Sequence, residues 1–330
     1  MVSEDTTDAA VSDAAFADDQ PARNAVPGTG RYSIGAQGFS SPRIEPGLYI
    51  VSTPIGNLRD ITIRALETLS GADMIACEDT RVTRILLQRY DIRTPLIAYH
   101  EHNAAKMRPK ILSALAEGKV VAQVSDAGTP LLSDPGYRLV RDVVAEGFRV
   151  FPIPGASAPL AALVGAGLPT DTILFAGFLP QKSSARRRRL EDLRHVPATQ
   201  VFFESPRRLG ATLGDMAQVL GGARAAAVAR ELTKKFETFE RGTLGDLAQR
   251  FADTPPRGEI VIAIAPPEAE ETSDADVDAL LRDALRDLPV SAAAGQIAKQ
   301  TGRDRRALYK RALALRDETS ADEGTGGHDG

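Results

Sequence analysis

A carboxylate set among small residues is the first feature of this chain that could do chemistry. Asp126 stands in Val124-Ser125-Asp126-Ala127-Gly128-Thr129-Pro130, directly after the apolar run Val120–Val124. That run reads as a buried parallel strand. Asp134 and Pro135 then read as the cap and first turn of a helix. Loops at the carboxyl ends of strands are where open α/β sheets bind ligands. Ala127 and Gly128 would let a ligand approach the backbone, and Asp126 can accept hydrogen bonds from it. The same pattern also serves as an ordinary strand-to-helix turn.

Three further small-residue loops share the character of the first: Ser52-Thr53-Pro54-Ile55-Gly56-Asn57-Leu58, Pro152-Ile153-Pro154-Gly155-Ala156-Ser157-Ala158 and Gly167-Leu168-Pro169-Thr170. Exposed amides at such loops and at helix starts can hold polar or anionic groups. None carries the Gly-Lys-Ser/Thr ending of a phosphate loop or the Gly-x-Gly-x-x-Gly dinucleotide pattern. The cluster Lys182, Arg186, Arg187, Arg188 and Arg189 follows a Gly-Phe-Leu-Pro turn. Arginine forks suit phosphate, although a bare charge run also reads as a solvated helix face. Near the end of the chain, Gly302 separates two helical stretches. Arg303, Arg305, Arg306, Lys310 and Arg311 make the second one basic, as in a helix-turn-helix.

The elements that must position these residues follow from periodicity. Residues 1–46 lack it, are rich in Ala, Asp, Gly, Ser and Pro, and read as a disordered tail. Their first thirty residues also lack the basic and apolar regions of a secretory signal. Strands are expected at 48–51, 73–77, 120–124 and 149–153, with helices capped at Asp60 and Asn103 and one spanning 135–146. This alternation predicts an α/β domain over 47–167 with a mainly parallel sheet covered on both faces. A second α/β domain is expected over 168–267, where β-like segments at 236–241 and 259–265 suggest a mixed sheet. Residues 268–278 read as an acidic linker, 279–316 as a small helical domain and 317–330 as a second disordered tail.

Composition narrows the class. The 330 residues are 43% hydrophobic and 25% charged, the balance of a soluble globular protein. No apolar run reaches the roughly 18 residues of a membrane helix. The single cysteine, Cys77, excludes an internal disulfide, and together these traits suggest the cytoplasm. The net charge of −4 hides an asymmetry: residues 1–46, 268–278 and 317–330 carry −4, −6 and −5, leaving +11 on the remainder. A basic body between acidic segments is compatible with a polyanionic partner.

The segments LYIVSTPIGNLRDITIRALETL, IACEDTRVTRILL, YHEHN, VSDAGTPLLSDPGYRLV and IPGASA, followed by FAGFLPQKSSARRRRL, FFESPRRL, ARELTKKFET and RGEIVIAI, occur in this order. Together they resemble the ribosomal RNA small subunit methyltransferase I family of the tetrapyrrole methylase superfamily, over about residues 47–316. The resemblance implies α/β architecture: two domains of the tetrapyrrole methylase type with the cofactor cleft between them, plus a small C-terminal helical domain. It implies S-adenosylmethionine-dependent 2′-O-methylation of the ribose of a decoding-region cytidine in 16S ribosomal RNA. The small ribosomal subunit would be the partner and the enzyme a homodimer.

By position, the resemblance gives Pro54, Gly56, Ser125, Asp126, Ala127, Gly128 and Thr129 to the cofactor, with Phe203, Glu204, Arg230, Glu231 and Leu232 from the second domain. Lys182, Arg186, Arg187, Arg188, Arg189, Arg303, Arg305 and Arg306 are the candidates for RNA, so alanine at 186–189 is expected to weaken binding and flatten its salt dependence. A ribose hydroxyl is a poor nucleophile, so a proton acceptor would help. Glu78, Asp79 and His102 are the candidates, with His100 and Glu101 beside them, and a relay between Lys234 and its flanking glutamates is a further arrangement. Histidines two apart without further ligands make a poor metal site. The family commonly has histidine where this chain has Arg207. Two rivals stay open: methylation of a tetrapyrrole carbon on the same scaffold, and an RNA-binding assembly factor without catalysis. The basic segments favour RNA.

Overall fold

The computed structural model describes residues 30–131, 136–267 and 274–324. They divide between Ala158 and Pro159 into two compact units. Among the described residues no helix is long and apolar enough to cross a membrane.

The first unit opens with a hairpin, β1 (Arg31–Ile34) and β2 (Gln37–Ser40), and continues β3 (Gly47–Val51), α1 (Ile63–Gly71), β4 (Met74–Cys77), α2 (Thr80–Arg89), β5 (Leu96–Ala98), α3 (Ala104–Ala116), β6 (Val120–Val124), α4 (Tyr137–Ala145) and β7 (Val150–Ile153). The large strands form one sheet in the order β5-β4-β6-β3-β7, with every pair parallel. Successive side chains on a strand point to opposite faces. Tyr49 and Val51 therefore pack with Leu66, Leu69, Leu86 and Leu87 on one side. Leu48 and Ile50 pack with Ile111, Leu115, Leu139 and Val143 on the other. Both faces are covered, which is why these strands read as unbroken apolar runs.

Several expectations about local structure are corrected here. The hairpin β1–β2 lies inside the segment read as a disordered tail. Tyr32 is only 4% exposed, its ring stacks on Phe39, and Ser33 donates to the Tyr90 carbonyl at 2.8 Å. Those partners are tertiary, and the hairpin's own polar, glycine-containing sequence does not announce them. Asp60 closes a short 3₁₀ turn, while Thr62 caps α1 by accepting from the Ala65 amide at 3.1 Å. Asn103 does not cap α3 with its side chain. It turns back instead, accepting from the His100 amide and donating to the Ala98 carbonyl. Asp134 and Pro135 lie outside the described residues; α4 is seen from Tyr137.

The second unit runs α5 (Ala158–Ala166), β8 (Ile173–Phe178), α6 (Ser183–Leu193), β9 (Thr199–Glu204), α7 (Leu209–Leu220), β10 (Ala225–Arg230), β11 (Thr238–Thr243), α8 (Leu244–Arg250) and β12 (Ile260–Ile264), then α9 (Asp274–Asp287), α10 (Val290–Thr301) and α11 (Arg305–Gly324). Its sheet order is β11-β10-β12-β9-β8. Only β8 and β9 pair in parallel; the other pairs are antiparallel. Helix α5 belongs to this unit because Arg241 of β11 donates to the Gly165 and Ala166 carbonyls, and the Phe239 ring occupies the space beside Gly165. Helix α9 begins inside the segment read as a linker. Asp274 and Asp276 in its first turn favour a helix start, since negative charge there opposes the backbone dipole. Helix α11 continues through Gly324, into the segment read as a terminal tail.

Candidate active site

In a parallel sheet all carboxyl ends share one edge. The loops after β3, β4 and β6 therefore meet. Thr53 and Gly128 exchange backbone hydrogen bonds of 2.9 and 3.0 Å, an isolated antiparallel bridge between two loops 75 residues apart. The Thr53 hydroxyl donates to the Ser125 carbonyl at 3.3 Å, Ser52 and Thr129 share a hydroxyl contact of 3.1 Å, and Thr129 donates to the Ala156 carbonyl at 3.2 Å. Gly128 has φ +78°, and a Cβ there would lie 3.1 Å from Ile55. The position suits glycine on both counts.

These bonds brace a cavity lined by Thr53, Pro54, Ser125 and Asp126, with Leu58, Val82 and Ile85 on its apolar side. Val82 and Ile85 come from α2 and are 40% and 61% exposed. Sequence reading missed them because amphipathic periodicity sends apolar residues of a helix to the core, and these two do not go there. Asp126 accepts the Asp79 amide at 3.0 Å, which ties the β6 loop to the start of α2. On the loop after β7, the Ser157 hydroxyl is buried with no hydrogen-bond partner among the described residues. A carboxylate, an apolar wall and a loop that only glycine fits suit a ligand with both polar and flat apolar parts. Gly56 and Ala127 are exposed on the same loops.

The proton-acceptor candidates separate. Asp79 caps α2 through the Arg81 amide at 2.8 Å and is gripped by the Arg81 side chain at 2.6 Å. The Arg81 side chain first, and its backbone amide second, hold the Asp79 carboxyl at about 2. So low a pKa makes it a poor base near neutrality. Replacing Arg81 with alanine is expected to raise the Asp79 pKa toward its ordinary 3.8, read by carboxyl-carbon NMR against pH. An unmoved titration would show that Arg81 does not set it. Glu78 is half-buried beside Asp79. His102 is exposed beyond β5, the edge strand, its ring 6.0 Å from that of His100.

In the second unit Phe203 packs edge-on to Phe175, their ring centres 5.0 Å apart. Glu204 is almost fully buried, and its oxygens are engaged internally. One accepts the Ser205 amide at 2.7 Å and the other the Thr212 hydroxyl at 2.6 Å, with Arg208 at 3.4 Å. Arg230 donates to Thr238 and to the Arg257 carbonyl. Glu231 and Thr233 adopt φ +52° and +64°, on either side of the buried Leu232. Non-glycine residues held this way store strain and cluster at functional loops. Lys234 lies 2.9 Å from Glu231 and 3.1 Å from Glu259. Burial alone would lower the lysine pKa, but the two carboxylates outweigh it and the net shift is upward. The ammonium therefore keeps its proton, against the relay considered from sequence.

The arginine run also divides. Arg186 is 4% exposed, 2.6 Å from Asp215 of α7, and Arg187 reaches the other oxygen of the same carboxylate at 2.6 Å. The expectation that Arg186 faces RNA is thereby corrected: the fold needs a counter-charge for Asp215, and no local pattern showed that partner. Lys182, Arg188 and Arg189 are exposed. In the helical tail Gly302 makes the expected left-handed turn, φ +70°. Arg303 is 2.5 Å from Asp274, while Arg305 and Arg306 are exposed.

Residues 47–248 match the family model of Tetrapyrrole (Corrin/Porphyrin) Methylases, and residues 271–316 match that of the RsmI C-terminal HTH domain. The solved structure of a cobalamin biosynthetic enzyme, cobalt precorrin-4 methyltransferase, shares the fold with a TM-score of 0.53 at 20% identity, covering 66% of this chain and 94% of that one. Diphthine synthase does so with a TM-score of 0.51 at 14% identity, covering 66% and 89%. The chain is thus an enzyme of the tetrapyrrole methylase class.

Among curated relatives, Ribosomal RNA small subunit methyltransferase I of Mesorhizobium japonicum is 56% identical over 296 residues, 89% of this chain and 100% of that protein. The protein of the same name from Pseudomonas aeruginosa is 46% identical over 271 residues, 81% and 96%. The chain belongs to the ribosomal RNA small subunit methyltransferase I family.

Proposed function

We propose that this chain methylates the ribose 2′-hydroxyl of a decoding-region cytidine in 16S ribosomal RNA. Its methyl donor is S-adenosylmethionine, which when bound supplies a methyl group on a sulfonium sulfur that departs as a neutral thioether. The observation carrying this reading is the 56% identity to a relative that the chain matches over its whole length. The braced loops of the first unit support it. Pro54, Ser125, Asp126, Gly128 and Thr129, with Ala127 and Gly56 beside them, are the proposed donor residues there, and Phe203, Arg230, Glu231 and Leu232 those of the second unit. Glu204 acts through the loop after β9, since its oxygens are already bonded to Ser205 and Thr212.

In this reading Asp126 orients polar groups of the donor, and Pro54, Leu58 and Val82 keep water from its apolar side. Orientation of this kind accounts for roughly 7–11 kcal/mol of barrier in the best intramolecular cases. Lys182, Arg188 and Arg189 hold RNA phosphates. The reading includes a homodimer and a cytoplasmic setting; sedimentation giving about twice the 35.2 kDa chain mass checks the first.

The test is to incubate the full chain with labelled donor and small ribosomal subunits from cells lacking this methylation, then map the label. One ribose 2′-oxygen on a decoding-region cytidine is expected. Label on a base, on another nucleotide or nowhere would refute the reading.

A further inference from the structure

The helical tail sorts its own cations. Helices α9, α10 and α11 close around Leu281, Ile297, Leu308, Ala312 and Leu315. This packing lays the acidic α9 along part of the basic helix. Arg303 meets Asp274 at 2.5 Å, and Arg311 grips Asp278 through bonds of 2.7 and 2.5 Å. Those two arginines serve the helix interface. Lys299, Arg305, Arg306 and Lys310 are exposed and make no ion pair among the described residues.

Two of the remaining cations flank a ring. Tyr309 is 41% exposed while its neighbour Leu308 is 3% exposed, so the helix turns the tyrosine outward. Residues three and four apart are neighbours on a helix surface, which sets Arg306 and Arg305 beside Tyr309. No other ring or cation covers it among the described residues. An open aromatic face amid uncommitted positive charge is the chemistry that holds unpaired nucleotides: the ring stacks a base while the cations take flanking phosphates.

We propose that this face, centred on Tyr309, docks an unpaired stretch of RNA, with Tyr309 stacking one base and Arg305 and Arg306 holding the adjacent phosphates. Arg303 and Arg311 are not part of it. The proposal rests on the reading of the chain as an RNA methyltransferase, and it assigns the docking face to the first half of α11.

The experiment measures affinity of the full chain for a labelled single-stranded oligonucleotide of decoding-region sequence, and for its duplex, by fluorescence anisotropy across salt. Stacking of one base is worth about 1–3 kcal/mol, so Tyr309→Ala should weaken single-strand binding about 5- to 150-fold. Duplex binding should change far less, because paired bases hide their faces. Tyr309→Phe keeps the ring and should retain affinity, which separates stacking from misfolding. Removing Arg305 and Arg306 together should lower the salt slope by about 1.4, at roughly 0.7 per phosphate for single strands. Unchanged single-strand affinity in Tyr309→Ala overturns the proposal and leaves the face to an acidic protein. Such a result beside normal wild-type methylation of subunits overturns this proposal alone; absent wild-type methylation overturns the reading beneath it.

Discussion

Asp215→Ala should destabilise the second unit by about 3–5 kcal/mol, the usual cost of leaving one member of a buried ion pair without its partner. The side chains of Arg186 and Asp215 are 5% and 6% exposed. Arg186 donates through Nε at 2.7 Å, Arg187 at 2.6 Å and Ser183 at 3.0 Å, all to the same carboxylate. Without it, the Arg186 guanidinium is left in a nearly dry place, with the Gln181 carbonyl at 3.1 Å as its remaining hydrogen-bond partner among the described residues. Asp215→Asn, which keeps an acceptor, should lose less.

The pair also sets an acid dependence. Burial pushes the Asp215 carboxyl up, but hydrogen bonds from Arg187, Ser183 and Arg186 outweigh it and hold the pKa below its ordinary value. A folded pKa below the unfolded one contributes stability that is present above the unfolded value, about 3.9, and lost as pH falls through the lowered one. Urea melts between pH 7 and pH 2 should show wild type losing this increment in acid, and Asp215→Ala lacking it throughout. A variant as stable as wild type at pH 7 would mean that water reaches the pair.

Gly128→Val should reduce methyl transfer at least about 100-fold, because misplacement by about an ångström suffices for that loss. The backbone at φ +78° is hostile to a β-branched residue, and the new Cβ would press on Ile55 at 3.1 Å. Relief requires the Thr53–Gly128 bridge to open, and that bridge joins the β3 loop to the β6 loop. Strain of this kind costs of order 1–3 kcal/mol, so the protein should still fold. Gly128→Ala should be milder. The measurement is steady-state transfer to small subunits beside a melting curve. Full activity in a folded Gly128→Val enzyme would remove these loops from the site.

Much of the first unit was legible because its physics is local. Strands buried on both faces must be apolar at every position, so Gly47–Val51 and Val120–Val124 declare themselves. Their carboxyl ends then locate the Asp126 loop without further information. Strand β5 is three half-buried residues, too short for any period to emerge. Hairpin β1–β2 is held by Tyr90 and by the stacking of Tyr32 on Phe39 across it, and neither contact leaves a pattern in the hairpin's own residues.

The charged residues mark the boundary most clearly. Composition alone determined that the body is basic, that one helix carries four arginines in a row and that the last helix is cationic. Which of those cations face outward was decided by tertiary packing. Arg186 turned inward to Asp215 from 29 residues away, and Arg311 was taken by Asp278 from 33. Periodicity reports the direction in which a side chain leaves its own helix. A counter-charge arrives from another helix, and its position depends on how the intervening chain folds.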